Sequence, residues 1–301
     1  MTRSIDQNQA PRVDAFGKLT VSLGGRCPLA CKHCYTTVPS FRYDRKRGIG
    51  DVIDFVASSP SISVVCLSGD TDPMLRPHEV IELLHRLADD FPEIDLMYTT
   101  RLLLNPELSQ ELLDISNTMA KRNRLLMAAI SLISYTFPNQ IEDPRLVPSS
   151  ADRLAALAWM ADSLQPVALA LRPTLPFGLV PKSELEAIFQ HLDERVKIVL
   201  GEVLLLDALG NSASLLGLAE AEMNDVVDQL SFINQGDKYR KRSFPDEEQY
   251  IRRLANDSGR FFFMRSITAV RFLKSYWDFS SGMLQYSLGD PVDISAEGIL
   301  P

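Results

Sequence analysis

The sequence predicts an α/β protein built on a parallel sheet, and two observations carry that prediction. Between residues 18 and 206, short apolar runs alternate with amphipathic stretches until six strands have been laid down. Such alternation is closed most economically by parallel strands joined through right-handed helical crossovers. The runs are also continuously apolar, as strands covered on both faces are. "KLTVSL" (18–23) is the first strand, and "GDVIDFVASS" (50–59) the first helix. "SISVVCLSG" (61–69) is a buried strand ending in a turn. "PHEVIELLHRLADDF" (77–91) is a helix with Val80, Ile81, Leu83, Leu84 and Leu87 on its packing side. Strand "IDLMYTT" (94–100), helix "PELSQELLDISNTMAKR" (106–122) and strand "RLLMAAISLI" (124–133) follow. After a loop with three prolines comes helix "SADRLAALAWMADSL" (150–164), for which Ser149 or Ser150 is the expected N-cap. "PVALALRPTLP" (166–176) is a strand broken by prolines, "PKSELEAIFQHLDER" (181–195) a helix with proline near its first position, and "KIVLGEVLLL" (197–206) the sixth strand.

From about residue 207 the alternation stops. "LAEAEMNDVVDQLSFIN" (218–234) and "DEEQYIRRLAND" (246–257) read as helices, and "RFFFMRSITAVRFL" (260–273) fits strand or helix. The chain therefore divides into a polar lead-in (1–16), an α/β core (17–206) and a mainly helical cap or substrate-specificity region (207–301). Its 301 residues are 46% hydrophobic and 23% charged, enough to bury a full core without disulfides. The net charge of −8 argues against a sequence-independent grip on nucleic-acid phosphates. The one basic cluster is "DKYRKRSF" (237–244), read as a solvated loop or an anion contact. No run of 18 apolar residues predicts a membrane-spanning helix, and the first residues lack the apolar stretch of a secretory signal. The expectation is a cytoplasmic protein, where clustered cysteines mean metal or catalysis more often than disulfides.

Three of the four cysteines fall within "GGRCPLACKHCYT" (24–36), spaced C-x3-C-x2-C at Cys27, Cys31 and Cys34. Four thiolates close a structural zinc site or saturate a cubane cluster. Three on a short loop do neither. If they hold three irons of a [4Fe–4S] cluster, the fourth iron stays open to a non-protein ligand. The alternatives are small core residues, or a zinc site completed by His33 or Cys66.

This loop, directly after the first strand of an alternating β/α chain, resembles the signature of the radical S-adenosylmethionine (SAM) superfamily, and the resemblance covers about residues 17–206. It implies a partial (β/α)6 TIM-like barrel. It also implies a [4Fe–4S] cluster on Cys27, Cys31 and Cys34 whose open iron takes the amino and carboxylate groups of SAM. One electron then cleaves SAM to methionine and a 5′-deoxyadenosyl radical, which abstracts hydrogen from a substrate. His33 stands where the family has an adenine contact, made chiefly through backbone. Ser68, Gly69 and Asp70 replace the family's Gly-Gly-Glu turn that receives the SAM ammonium. In a second register Asp72-Pro73 does so, and in the first Asp72 is free to touch substrate. Ser131, rather than Ser134, is the ribose candidate. Arg172 is the candidate for the SAM carboxylate, with Glu202 as its alternative partner. Gly201 would pack close to the adenine, and Thr99, Thr100 and Arg101 would lie at the mouth.

Only Cys66 remains outside the loop, so cysteine alone cannot ligate an auxiliary cluster here, and no cobalamin-binding domain is expected ahead of the core. That points to simpler chemistry on a small molecule: isomerisation, epimerisation, elimination, dehydrogenation or radical addition, with a flavodoxin- or ferredoxin-like reductase as electron donor. Cys66 is either a thiol hydrogen donor or a small core residue, with Tyr98 and Tyr135 as other donors. "GDTDPMLRPHE" and "RPTLPFG" also resemble motifs of the spore photoproduct lyase branch. The competing readings are modification of a peptide or nucleic acid, and a non-enzymatic iron–sulfur or zinc protein.

Overall fold

The computed structural model describes residues 13–14, 16–25, 27–37, 48–69, 71–136, 141–163, 166–207, 211–218, 226–228 and 238–286. Six strands come where the apolar runs predict them: β1 (Lys18–Val21), β2 (Val64–Leu67), β3 (Asp95–Thr100), β4 (Leu126–Leu132), β5 (Val167–Leu171) and β6 (Ile198–Gly201). Between them lie α1 (Ile49–Ala57), α2 (Pro77–Asp90), α3 (Pro106–Ala120), α4 (Ser150–Asp162) and α5 (Lys182–His191). Local chemistry sets the helix starts. Asn105 Oδ1 accepts the Leu108 N–H at 2.9 Å, and Ser149 Oγ accepts that of Asp152 at 3.1 Å. Proline opens α2 and α3, where a missing N–H costs nothing.

Beyond β6 the chain forms β7 (Leu204–Asp207), α6 (Asn211–Leu215), β8 (Val226–Asp228), β9 (Lys238–Arg242), α7 (Pro245–Asp257), β10 (Phe261–Phe263), α8 (Ser266–Tyr276) and a short hairpin of β11 (Trp277–Asp278) and β12 (Met283–Leu284). The run at 197–206 is thus two strands broken at Glu202 and Val203. β6 stays in the main sheet, and β7 joins an antiparallel sheet in the order β7-β9-β8. Residues 226–228 are strand where a helix was expected, and 219–225 and 229–234 lie outside the described residues. The basic run is likewise no loop: β9 is the central strand of that small sheet, paired on both sides. "RFFFMRSITAVRFL" is both things in turn, strand β10 and then helix α8. Of the two helices expected in the extension the one at 246–257 forms, as α7, and β10 adds a seventh strand to the core.

The main sheet runs β1-β2-β3-β4-β5-β6-β10 with every pair parallel. Strand order follows chain order, so right-handed crossovers keep α1 to α5 on one face and the sheet curls as a partial barrel. Val65, Leu67, Leu96, Tyr98, Ile130, Leu132, Leu169, Leu171 and Val199 face those helices. Val64, Cys66, Met97, Met127, Ala129, Ala168, Ala170, Ile198 and Leu200 face inward, where Ile267, Val270 and Leu273 of α8 cover them. Among the described residues no helix is long and apolar enough to cross a membrane.

Candidate active site

Side chains alternate along a strand with period two. The inward positions that follow the apolar layer are therefore Ser68 after β2, Thr99 and Arg101 on and after β3, Ser131 on β4, Arg172 after β5 and Glu202 after β6. All six line one cleft at the C-terminal edge of the sheet, together with the cysteine loop and with Val203 and Leu205 of the β6–β7 segment. The cleft measures about 900 Å³, counting volume open to solvent. Parallel sheets gather their sites at this edge.

The cysteine loop leaves β1 through Gly24 and Gly25, both with positive φ. At Gly25, with φ +96°, a Cβ would stand 2.9 Å from Arg76 Nη2, so only glycine combines this conformation with that approach. Thr71 Oγ donates to the Gly25 carbonyl at 2.5 Å and ties the loop to the turn after β2. On its other side the Lys32 N–H donates to the Ile141 carbonyl at 2.9 Å, and Leu29 and Cys31 pack on Val147. Cys27, Cys31 and Cys34 all line the cleft. Burial raises the Cys27 thiol and pushes the Cys31 thiol up to about 12. Backbone N–H groups of Asp72 and Leu29 lie against Cys27 and act the other way, favouring its thiolate. Cys34 Sγ lies 3.0 Å from Thr36 Oγ. Among the described residues no group of three or more His, Cys, Asp and Glu is drawn together as a single metal ion requires. The three thiols share one cleft lining.

Beneath the loop lies a buried ionic network. Arg153 of α4 is 0% exposed, donates to Glu142 Oε2 at 2.7 Å, and reaches the Ser131 carbonyl at 2.6 Å. Glu142 Oε1 accepts Arg101 Nε at 2.9 Å. Arg101 Nη2 is 3.0 Å from His33 Nε2 and donates to the Arg172 carbonyl at 3.1 Å. Burial, then the charges of Arg101 and Arg153, hold the His33 pKa well below the usual histidine value. Sequence reasoning found Arg101 and His33 separately and missed Glu142, Arg153 and Thr71. A glutamate in a proline-rich loop and an arginine within a helix gave no signal of meeting.

The other expected site residues fall in two groups. Ser68, Gly69, Asp72, Ser131 and Arg172 line the cleft. Gly69 has φ +115°, which the turn needs. Ser131 is 1% exposed, while Ser134, of opposite parity, is buried away from the cleft lining. Arg172 is nine-tenths buried and its Nε has no hydrogen-bond partner among the described residues. The hydroxyl of Thr99 is equally unmet. The Asp72 carboxylate is occupied: it takes the Met74 N–H at 3.0 Å, the Thr100 hydroxyl at 2.7 Å and the Arg101 N–H at 2.7 Å. Burial nonetheless raises its pKa. Cys66, 3% exposed, sits in the apolar layer under α8, where burial raises its thiol. Tyr98 faces the helix layer and Tyr135 stacks on His191 at 4.4 Å. Gly201 has the outward parity of Val199. The close approach it permits is to Phe262 and Met264 and not to the cleft: a Cβ there would stand 2.6 Å from Phe262 Cζ and 2.8 Å from Met264 Sδ. Asp70 lies outside the described residues.

Among solved structures, a radical SAM methyltransferase from Sphaerobacter thermophilus overlays this chain with a TM-score of 0.53 at 12% identity. The overlay shows the fold alone, an α/β partial barrel with a helical extension. The overlay covers 82% of this chain and 65% of the methyltransferase, less than two thirds of its length. SuiB of Streptococcus suis overlays at 0.45 and 13% identity, over 62% of this chain and 39% of its own. A GH18 chitinase from Cycas revoluta overlays at 0.33 and 11%, over 76% and 86%. Overlays that loose carry no argument. No protein-family profile and no curated protein matches the chain.

Proposed function

We propose that this chain is a radical SAM enzyme acting on a small-molecule substrate. The observation that carries the proposal is the three-thiol loop sharing one cleft with an Arg172 whose Nε is buried without a partner among the described residues. Cys27, Cys31 and Cys34 would hold a [4Fe–4S] cluster. Arg172 is placed to take a carboxylate, since a buried guanidinium N–H without an acceptor is costly. Ser131 and Thr99 offer hydroxyls to a ribose, and Ser68–Gly69 offers backbone to an ammonium. When bound and reduced by an external donor such as a flavodoxin or ferredoxin, the cluster supplies the electron that cleaves SAM to a 5′-deoxyadenosyl radical, which takes hydrogen from substrate. The chain's own contribution is placement and exclusion of water. Leu29, Tyr35, Val203 and Leu205 form an apolar wall to the cleft, which keeps stray hydrogen donors from a reactive species.

Methyl transfer is no part of the proposal, because 12% identity carries a fold and a fold does not set a reaction. The spore photoproduct lyase branch finds no counterpart among the structures named above. Nucleic acid as substrate is disfavoured by the net charge of −8. The test is anaerobic reconstitution with iron and sulfide, then SAM and dithionite, with 5′-deoxyadenosine as product. It should form in the wild type and vanish in Cys34→Ala. A reconstituted protein that binds no SAM would sink the proposal.

A further inference from the structure

We propose that Arg101 is a positioning residue: anchored by Glu142, it holds the cysteine loop through His33 and fixes that ring as a hydrogen-bond donor to the cofactor assembly in the cleft. The proposal rests on the function proposed above and adds a side-chain role that the sequence did not suggest, since His33 was expected to act through its backbone.

The argument begins with donor counting. A guanidinium has five N–H donors and no lone pair to offer. At 3.0 Å from Arg101 Nη2, His33 Nε2 must therefore be the acceptor. A ring that accepts at Nε2 is neutral and carries its proton on Nδ1. Nδ1 is buried and has no partner among the described residues, and His33, only 4% exposed, lines the cleft. Native proteins seldom bury a donor unmet, and a ligand acceptor is one reason they do. Lone pairs of that kind are offered by a cluster sulfide, an adenine ring nitrogen or a ribose oxygen.

The anchoring is equally specific. Arg101 places one donor on Glu142, one on His33 and one on the Arg172 carbonyl, and gives its backbone N–H to Asp72. Its contacts thus span the 141–147 loop, the cysteine loop, the end of β5 and the turn after β2. The Glu142 carboxylate is 1% exposed and cannot swing to water, because Arg153 holds its second oxygen. Arg153 in turn is pinned to the Ser131 carbonyl of β4. Orientation therefore passes from the sheet and α4 through Arg153, Glu142 and Arg101 to one imidazole.

Arg101→Met, Arg101→Lys, His33→Phe and the double variant Arg101→Met/His33→Phe test this. In the metal-free protein, hydrogen exchange of residues 27–36 should rise roughly tenfold in Arg101→Met and in His33→Phe, and no further in the double variant. Exchange in β3 to β5 should stay put, and Arg101→Lys should recover part of the protection. With ¹⁵N-histidine, the wild type should show the Nδ1-protonated tautomer and Arg101→Met a mixture. In the cluster-loaded protein without SAM, a sulfide acceptor predicts a tenfold lower reduced-to-oxidised ratio at fixed potential in His33→Phe, about 59 mV for one electron. An adenine or ribose acceptor predicts an unchanged ratio and a SAM Kd raised about tenfold, the scale of a lost hydrogen bond. Either result supports the proposal and names the acceptor. Faster exchange with ratio and Kd both unchanged would reduce Arg101 to a structural strut and overturn it. Should Arg101→Met fail to fold, His33→Phe leaves Arg101, Glu142 and Arg153 in place and reads the same outcomes. A wild type that takes up neither cluster nor SAM would end the proposed function instead. The exchange and tautomer experiments need no cofactor, and unchanged values there would overturn the Arg101 role by themselves.

Discussion

The inner face of the main sheet is one surface with two chemistries. Toward the N-terminal ends of the strands its inward positions are Val64, Cys66, Met97, Met127, Ala129, Ala168, Ala170, Ile198 and Leu200, and α8 lies over them. One step further along the same strands they become Ser68, Thr99, Ser131, Arg172 and Glu202, and the surface opens into the cleft. The apolar half is satisfied by its own chain. The polar half holds the hydroxyl of Thr99 and the Nε of Arg172 without hydrogen-bond partners among the described residues. A chain that covers half a face with helix α8 and leaves polar groups of the other half unmet among the described residues has divided stability from binding along each strand.

Substitutions in the two halves should therefore separate. The largest effect belongs to the cleft: Cys34→Ala should lose its iron on reconstitution while its melting temperature hardly moves, because Cys34 is half-buried on a loop and outside the sheet core. Unfolding of that variant would place the loop in the stability half. Next comes the packed half. Leu273→Ala, at a side chain 1% exposed under the sheet, should cost about 2–5 kcal/mol in urea denaturation, with iron content per folded protein unchanged. A smaller and opposite effect is expected of Thr99→Val. Removing a buried, unmet hydroxyl at constant shape should raise stability by about 1 kcal/mol and weaken SAM binding; a loss of stability would mean that the hydroxyl is satisfied within the protein.

Much of this division was legible in the sequence, and parity explains part of what was not. Period-two spacing from Val64 carries Cys66 to Ser68, from Met97 to Thr99, and from Ala129 to Ser131, so the cleft residues could be read once each strand was placed. The same rule, applied strictly, would have set Tyr98 and Gly201 on the helix side. The Glu142–Arg153 pair was illegible because its partners come from a loop and a helix that only the fold brings together. Helix α8 was ambiguous because "RFFFMRSITAVRFL" holds two short apolar runs split by Arg265 and Ser266, each too short for its period to distinguish strand from helix.

The smallest predicted effect lies outside the face altogether. Arg195 beside Asp193 holds that carboxyl down to about 2, from 3.8. A depressed carboxylate contributes stability above its unfolded pKa and loses it as pH falls through the folded one. Melting temperature should thus fall between pH 4 and pH 2, more shallowly in Asp193→Asn than in the wild type. An identical slope would assign acid sensitivity elsewhere.

The most direct test of the central claim, that the unmet half of the face is a cofactor site, is the electron paramagnetic resonance spectrum of the reduced, reconstituted protein with and without SAM. The account predicts a spectrum that changes on adding SAM in the wild type and changes less in Arg172→Ala at the same SAM concentration. A cluster spectrum indifferent to SAM would mean a fully ligated centre, and would contradict the claim.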